Sequence, residues 1–283
     1  MTVEFGADAI RAAFSQPDND GTFRGAFAEY LAELSRQRPA VIFAFPPKAA
    51  GTFLRSAAIG AVDGQLMRIV HAQGGRDAQP YLPLFITYFS GNMGAKPLVA
   101  HVHMQALHAN RRFLEALNLK PIAMLRSIPD MLASYWDMLE TDQTALEDGL
   151  NCNFPPGFRS LDAGRKADLL VDILAPWYTG YYASWIDYAH ESPDRVSILT
   201  YEEFLNRPAA ALERALAHAG VPRSRDICQA AIEDAWNEKE QWRFNRGEPG
   251  RGRAVFSAAH IAQIRRLLSH YPVLESVADQ LAA

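Results

Sequence analysis

The sequence contains few of the residues that crosslink a fold. Its 283 residues include two cysteines, Cys152 and Cys228, and neither a Cys-x-x-Cys pair nor a Cys/His cluster occurs. This pattern excludes a disulfide framework and a zinc signature, so we expect two reduced thiols and no metal. A chain of this length that is 49% hydrophobic and 21% charged can bury a large core without crosslinks.

Long apolar runs and an excess of basic charge are also missing. No run approaches the ~18 apolar residues of a membrane span, and residues 1–8 lack the pattern of a signal peptide. The net charge of −4 and the pI of about 6.1 argue against general binding to nucleic acid or anionic membranes. We therefore expect a cytoplasmic protein with no nucleic-acid or membrane partner, in which any anion site is local.

The order of apolar patterns predicts the fold class. No repeat or linker divides residues 1–283, which indicates a single domain, and a short β-branched run followed by a helical pattern recurs four times. The predicted strands are 39–45, 97–103, 120–126 and 195–201, and the helices that follow them are 52–62, 107–117, 129–139 and 209–219. This alternation predicts an α/β fold with a parallel sheet covered by helices on both faces.

Helix-end signals refine this prediction. Ser127 precedes Pro129 and Asp130 in the pattern of an N-cap, and Gly220 follows the helix at 209–219 as a stop. Ser257 is placed to cap a last helix that ends near residue 269. Residues at about 1–38 are expected to form a helical N-terminal segment with an amphipathic helix at 22–35, for which plain packing is favoured over a dimer contact or a lid.

The loop between the first predicted strand and helix carries the strongest functional signal. It reads Pro47-Lys48-Ala49-Ala50-Gly51-Thr52-Phe53-Leu54. Small residues let backbone N–H groups turn toward an anion, the helix N-terminus adds unsatisfied N–H groups, and Lys48 adds a full charge. This is a phosphate-binding pattern, although a Walker A loop has its lysine at the end. For this loop alone, an exposed lysine in a turn is an equally good interpretation.

Four segments in order resemble the motifs of sulfotransferases that use 3′-phosphoadenosine 5′-phosphosulfate (PAPS). They are the Lys48 loop, Arg126-Ser127-Ile128-Pro129-Asp130 with Ser134-Tyr135, Tyr201-Glu202-Glu203-Phe204, and Asn245-Arg246-Gly247. The resemblance covers residues 45–256 and implies a P-loop-NTPase-like sulfotransferase fold.

The resemblance also implies which residues hold the nucleotide. The 5′-phosphosulfate would lie on Lys48, Ala49, Ala50, Gly51, Thr52 and Phe53, and the 3′-phosphate on Arg126, Ser134, Asn245, Arg246 and Gly247, with Tyr201 in the same site. Arg126 stands at a strand end, where open α/β sheets bind ligands, and its fork suits phosphate. A surface arginine is the alternative.

The catalytic assignments rest on the strand-end pair His101 and His103. In register with the family, His103 takes the position of the general base and His101 that of a lysine. Strand alternation places both on one face, and a structural histidine is the alternative for each. Lys48 would stabilise the leaving group. Sulfuryl transfer of this type requires no metal.

Several positions depart from the family pattern. A serine and one threonine of the first loop are replaced by Ala49 and Gly51, and Phe53 offers adenine less stacking area than the usual tryptophan. Asn245 stands where arginine is common. Arg251 or Arg253 is a candidate to compensate, and a solvated basic turn is the alternative.

Two aromatic groups bear on the acceptor. Pocket lining is expected among Tyr81, Phe85, Tyr88 and Phe89, whereas core packing is favoured for the group between Phe154 and Trp185. Residues 140–165 are expected to form a loop over the site.

The expected reaction is in-line transfer of a sulfuryl group from PAPS to the hydroxyl or amine of a small-molecule acceptor, with 3′-phosphoadenosine 5′-phosphate (PAP) as product. Alternatives are an ATP- and Mg²⁺-dependent kinase and a non-catalytic nucleotide-binding protein. Folds of this kind commonly dimerise, but no sequence feature establishes a homodimer.

Overall fold

A five-stranded parallel sheet forms the centre of the fold. The computed structural model describes residues 38–70, 96–142, 157–238 and 249–283, together with residues 33, 80, 85, 88, 154 and 155. The strands are β1 Ala40–Ala44, β2 Gln65–Leu66, β3 Leu98–Val102, β4 Ile122–Leu125 and β5 Ser197–Thr200. Their order across the sheet is β2-β3-β1-β4-β5, and every paired neighbour is parallel.

The four predicted strands are confirmed as β1, β3, β4 and β5. Each is a short run made up mostly of apolar residues or, in β5, half of them, as expected for strands that are covered on both faces. All five residues of β1 are buried, and β1 pairs with β3 on one side and β4 on the other. The edge strand β2 was not predicted because two residues carry no periodic pattern.

Helices flank the sheet on both faces, which confirms the predicted three-layer α/β architecture. The described helices are α1 Gly51–Val62, α2 His108–Ala116, α3 Ile128–Thr141, α4 Ala163–Glu191, α5 Tyr201–Asn206, α6 Pro208–His218, α7 Arg225–Asn237, α8 Gly252–Val255, α9 Ala258–Ser269 and α10 Ala278–Leu281. One packed group contains α1, α6 and α7, and another contains α3, α4 and α9.

The predicted helix ends are present. The Ser127 side chain accepts a hydrogen bond from the Asp130 N–H at 3.2 Å and caps α3. Gly220 has φ 80° just after α6, where a left-handed conformation ends a helix. Ser257 caps α9.

The long helix α4 was predicted only in part, because the spacing of Trp177, Tyr181 and Trp185 indicates a helix face but not where the helix begins or ends. It begins at Ala163, inside the segment that was expected to be a loop, and runs for 29 residues through Pro176. The part of that segment at 143–153 and the predicted helix at 22–35 lie outside the described residues, apart from residue 33.

Cysteine, metal and membrane features can be stated for the described part of the chain. Cys228 is a free, buried thiol there, and Cys152 lies outside it. No group of three or more His, Cys, Asp or Glu side chains in the described ranges is arranged to hold a metal ion. None of the described helices combines the length and apolarity that a membrane crossing needs.

Candidate functional site

Four predicted site residues stand at the carboxyl ends of four strands. Lys48 follows β1, His103 follows β3, Arg126 follows β4 and Tyr201 follows β5. Because β3 and β4 lie on opposite sides of β1, the direction of strand order reverses here. Ligands of open α/β sheets bind in the crevice at such a reversal. The topology therefore places the predicted residues along one candidate crevice.

The loop after β1 has the backbone of an anion site. Lys48 and Ala50 adopt φ of 66° and 60°, values that residues other than glycine rarely take. Ala50 precedes α1 as its N-cap and supplies no side-chain hydrogen bond to the helix. The first N–H groups of α1 are therefore left to another acceptor. Strained residues beside an uncapped helix end are typical of loops that bind phosphate.

The Arg126 side chain spans from β4 to this loop. Its guanidinium donates a hydrogen bond to the Lys48 carbonyl and lies 3.9 Å from the centroid of the Tyr201 ring. Arg126 is 6% exposed, and its Nε atom is buried without a hydrogen-bond partner. A buried guanidinium N–H without an acceptor is costly. A bound phosphate oxygen would satisfy it, so this residue fits the group that the sequence assigned to it.

His103 is held with one ring nitrogen committed. Its Nδ1 lies 2.8 Å from the Phe45 carbonyl oxygen, which can only accept, so Nδ1 carries the proton in the neutral ring. Burial lowers the pKa of His103 and the Lys48 charge lowers it further, against the opposing effect of the Phe45 carbonyl. The neutral imidazole is therefore favoured, with the lone pair on Nε2.

His101 and His103 are brought together as alternation predicted. Their ring centroids are 4.7 Å apart and the rings are nearly perpendicular. The His101 ring also lies against the start of α1, because a Cβ atom placed on Gly51 would be 2.0 Å from His101 Nε2. Any larger residue at position 51 would therefore displace the His101 ring. Two departures from the family pattern, a glycine for threonine and a histidine for lysine, are coupled by this contact.

Residues that follow the Asn245-Arg246-Gly247 segment are anchored at the N-terminus of α3. The Asp130 carboxylate accepts hydrogen bonds from the N–H groups of Gly250 at 2.8 Å and Gly252 at 2.7 Å. A Cβ on Gly252 would lie 2.3 Å from Pro129, so the backbones are in close contact. Arg251 forms an ion pair with Asp137 at 2.6 Å, and Arg253 is exposed. Asn245, Arg246 and Gly247 lie outside the described residues.

An aromatic face of α4 holds the strand ends in place. The predicted core packing of this group is confirmed for Tyr178, Tyr181, Tyr182 and Trp185, each at most 1% exposed. Their polar atoms also bond to backbone. Tyr178 donates to the Pro47 carbonyl at 3.1 Å, Tyr181 to Ala44, Tyr182 to Arg126 at 2.7 Å, and Trp185 to Met104 at 3.0 Å.

These four residues were missed as contributors to the site. Their i, i+3, i+4, i+7 spacing indicates a single buried helix face. That spacing does not show which carbonyls the face meets, because the partners are distant in sequence.

Three further residues predicted for the site, Phe53, Ser134 and Phe85, are buried. Phe53 is 2% exposed and packs edge-on against Trp236 in α7, at 5.8 Å between ring centroids. Ser134 is buried in α3, and Lys48 Nζ lies 3.9 Å from Met138 Sδ. Phe85 is 1% exposed and packs on Phe113.

Of the other residues predicted to line the acceptor pocket, the structure describes Tyr88. Tyr88 is partly buried, and its carbonyl accepts a hydrogen bond from Arg38 at 2.5 Å. Tyr81 and Phe89 lie outside the described residues. The acceptor role of this group stays a prediction.

Two solved structures of similar fold, one of them a sulfotransferase, contain PAP. The chain matches no protein-family model and no curated protein. Mouse sulfotransferase SULT7A1 complexed with PAP is 13% identical, with a TM-score of 0.59 over 89% of this chain and 92% of that chain. Retinol dehydratase in complex with androsterone and the inactive cofactor PAP is 14% identical, with a TM-score of 0.50 over 88% and 85%. This similarity confirms the predicted sulfotransferase fold.

Proposed function

We propose that the protein is a PAPS-dependent sulfotransferase that acts on a hydroxyl or amine of a small-molecule acceptor. The observation that carries the proposal is the placement of Lys48, Arg126 and His103 at the carboxyl ends of three adjacent strands in a sulfotransferase fold. Each stands in a segment that resembles a motif of that family, and each has contacts that suit its expected role.

The sulfuryl donor would be held at two anion sites. The loop of Lys48, Ala49, Ala50, Gly51 and Thr52 and the uncapped start of α1 would receive the 5′-phosphosulfate. Arg126 would receive the 3′-phosphate, a group that PAP carries and ADP lacks. Ser134 and the Asn245, Arg246 and Gly247 loop would complete that site, since Asp130 anchors residues 250 and 252 beside Arg126.

The adenine would stack on a different ring from the one that the sequence indicated. Phe53 has little exposed surface left, whereas the neighbouring Trp236 is 45% exposed. Exposed tryptophan in contact with the phosphate loop is suited to stacking on a base. We assign Trp236 as the stacking surface, with Phe53 supporting it from behind.

The transfer step uses the neutral His103. The acceptor oxygen forms a bond to sulfur while the bond between sulfur and the 5′-phosphate oxygen breaks, giving the sulfate ester and PAP. His103 Nε2 takes the acceptor proton, because Nδ1 is committed to the Phe45 carbonyl. Lys48 supplies positive charge where the leaving phosphate oxygen becomes negative.

A turnover assay tests this proposal. Protein, PAPS and a simple phenol are incubated without divalent metal, and both products are quantified by mass spectrometry. Equal amounts of PAP and aryl sulfate are expected, with both lost in Lys48→Ala. Consumption of ATP in place of PAPS, dependent on Mg²⁺, would show the kinase alternative. PAP binding without turnover of any acceptor would show the non-catalytic one.

A further inference from the structure

Arg55 is a partly buried cation that lies near the proposed base and has no anionic partner among the described residues. It stands four residues after Gly51 on α1, and residues at this spacing share a helix face. Because Gly51 contacts the His101 ring, Arg55 is directed to the same side. Its Nε atom is buried without a hydrogen-bond partner, and among the described residues the charged group that acts on its pKa is Arg68.

Arg68 lies near Arg55 and His101, just after the neighbouring strand β2. The pairing of β2 with β3 sets Leu66 against Val99, and the Met67 N–H continues it with a hydrogen bond to the Val99 carbonyl at 2.8 Å. Two residues further along each chain stand Arg68 and His101. Burial lowers the pKa of Arg55, and the Arg68 charge lowers it further. Burial also holds the pKa of His101 well below its ordinary value, so its ring is neutral. The charges of Arg55 and Arg68 therefore repel each other beside this ring, which is unfavourable without an anion.

The position of this cluster separates it from the proposed nucleotide phosphates. Arg126 follows β4 on one side of β1, whereas His101 and Arg68 belong to β3 and the end of β2 on the other side. The cluster also adjoins the proposed base, since His101 and His103 have ring centroids 4.7 Å apart. An acceptor whose hydroxyl meets His103 would pass beside Arg55.

We propose that Arg55, with Arg68 and His101, binds an oxyanion on the acceptor, so that the preferred substrates are hydroxyl compounds that carry a carboxylate or a similar group. This inference rests on the proposed function and names its substrate class. A guanidinium fork is the side chain best suited to a carboxylate, because it offers two parallel N–H groups.

Three matched phenols test the proposal: 4-hydroxyphenylacetate, 4-ethylphenol and tyramine, which differ in the charge at one end. With saturating PAPS, kcat/KM for the carboxylate is expected to exceed that for the neutral phenol by about tenfold or more, the worth of one charge-assisted hydrogen bond. Arg55→Gln should remove this preference, Arg55→Lys should keep part of it, and Arg55→Glu should favour tyramine.

Binding measurements separate the failure of this inference from the failure of the proposed function. Calorimetric titration of PAP into wild type and Arg55→Gln should give dissociation constants within about twofold of each other. Equal kcat/KM for the three phenols, or an Arg55→Gln change confined to PAP affinity, overturns the acceptor site while the sulfotransferase stands. Absence of PAP binding to the wild type overturns both. Arg68→Gln, at an exposed residue, provides a second test if Arg55 variants do not fold.

Discussion

The Arg126 guanidinium donates a hydrogen bond to the backbone carbonyl of Lys48 and so connects the two proposed phosphate sites. The contact joins the end of β4 to the strained loop after β1. A residue expected to bind the 3′-phosphate therefore also supports the loop expected to bind the 5′-phosphosulfate. Loss of Arg126 should affect both sites, and the 3′ site more strongly.

The first prediction concerns selectivity for the 3′-phosphate. Arg126→Lys keeps a charge but removes the fork and the stacking on Tyr201. PAP affinity should fall by about 10-fold or more, and ADP affinity by less, because a charge-assisted hydrogen bond is worth ~1.5–3 kcal/mol. Isothermal titration of both nucleotides measures this, with the exposed Arg266→Lys as the matched control. Equal losses for PAP and ADP would contradict the assignment.

A second prediction tests the contact between Gly51 and His101. Gly51→Ala forces the His101 ring to move and should lower the free energy of unfolding by ~1–3 kcal/mol. The double variant with His101→Ala should recover part of this, giving a coupling energy of at least ~0.5 kcal/mol in denaturant titrations. Gly60→Ala is the control on the same helix, since its nearest atom is 3.8 Å away, and it should be neutral or stabilising. Additive effects would show that the residues are independent.

The third prediction concerns pH. The lowered pKa of His103 means that the neutral base persists below the ordinary value of 6.5. The fall of kcat/KM at acid pH should therefore have its midpoint below pH 6.5, because activity is lost as the pH falls through the lowered pKa of His103. His103→Asn should reduce kcat by about 10²–10⁴ and abolish the limb. An acid limb that survives in this variant would assign the titration to another group.

A fourth prediction concerns the Asp130 carboxylate, which anchors the backbone of Gly250 and Gly252. Asp130→Asn retains one acceptor for the two N–H groups of Gly250 and Gly252 and introduces an amide donor. The free energy of unfolding should fall by ~1.5–3 kcal/mol, and PAP should bind more weakly. Asp137→Asn removes the partly exposed ion pair with Arg251 and should cost ~0–1 kcal/mol. Chemical denaturation and PAP titration of both variants compare the two effects, and equal costs would contradict the anchoring role.

The strand-end positions of the site residues can be predicted because the strands themselves have clear sequence patterns. Each of the runs that became β1, β3, β4 and β5 is short and apolar, and parallel strands bring their carboxyl ends to one edge. The family resemblance implies that Lys48, His103, Arg126 and Tyr201 share one site, and the strand ends agree with that placement. The two-residue β2 lacks such a pattern, and for α4 the spacing of the aromatic residues indicates a helix face but not the full length of the helix.

Contacts across long sequence distances account for the rest. Nothing local in the sequence couples Gly51 to His101, or directs the Tyr182 hydroxyl to the Arg126 carbonyl. Phe53 is typical of a stacking residue by its motif position, but its burial depends on where α7 packs. Helical and strand periodicity indicate which face of an element is buried, but not which residues pack against that face.

Thermal unfolding with PAP, compared with ATP plus Mg²⁺, tests the central claim most directly. At about 100 times the dissociation constant a ligand stabilises the fold by ~2.7 kcal/mol, which raises Tm by several degrees for a domain of this size. We expect this shift with PAP in the absence of metal, and its loss in Arg126→Ala. A shift with Mg²⁺-ATP and none with PAP would contradict it.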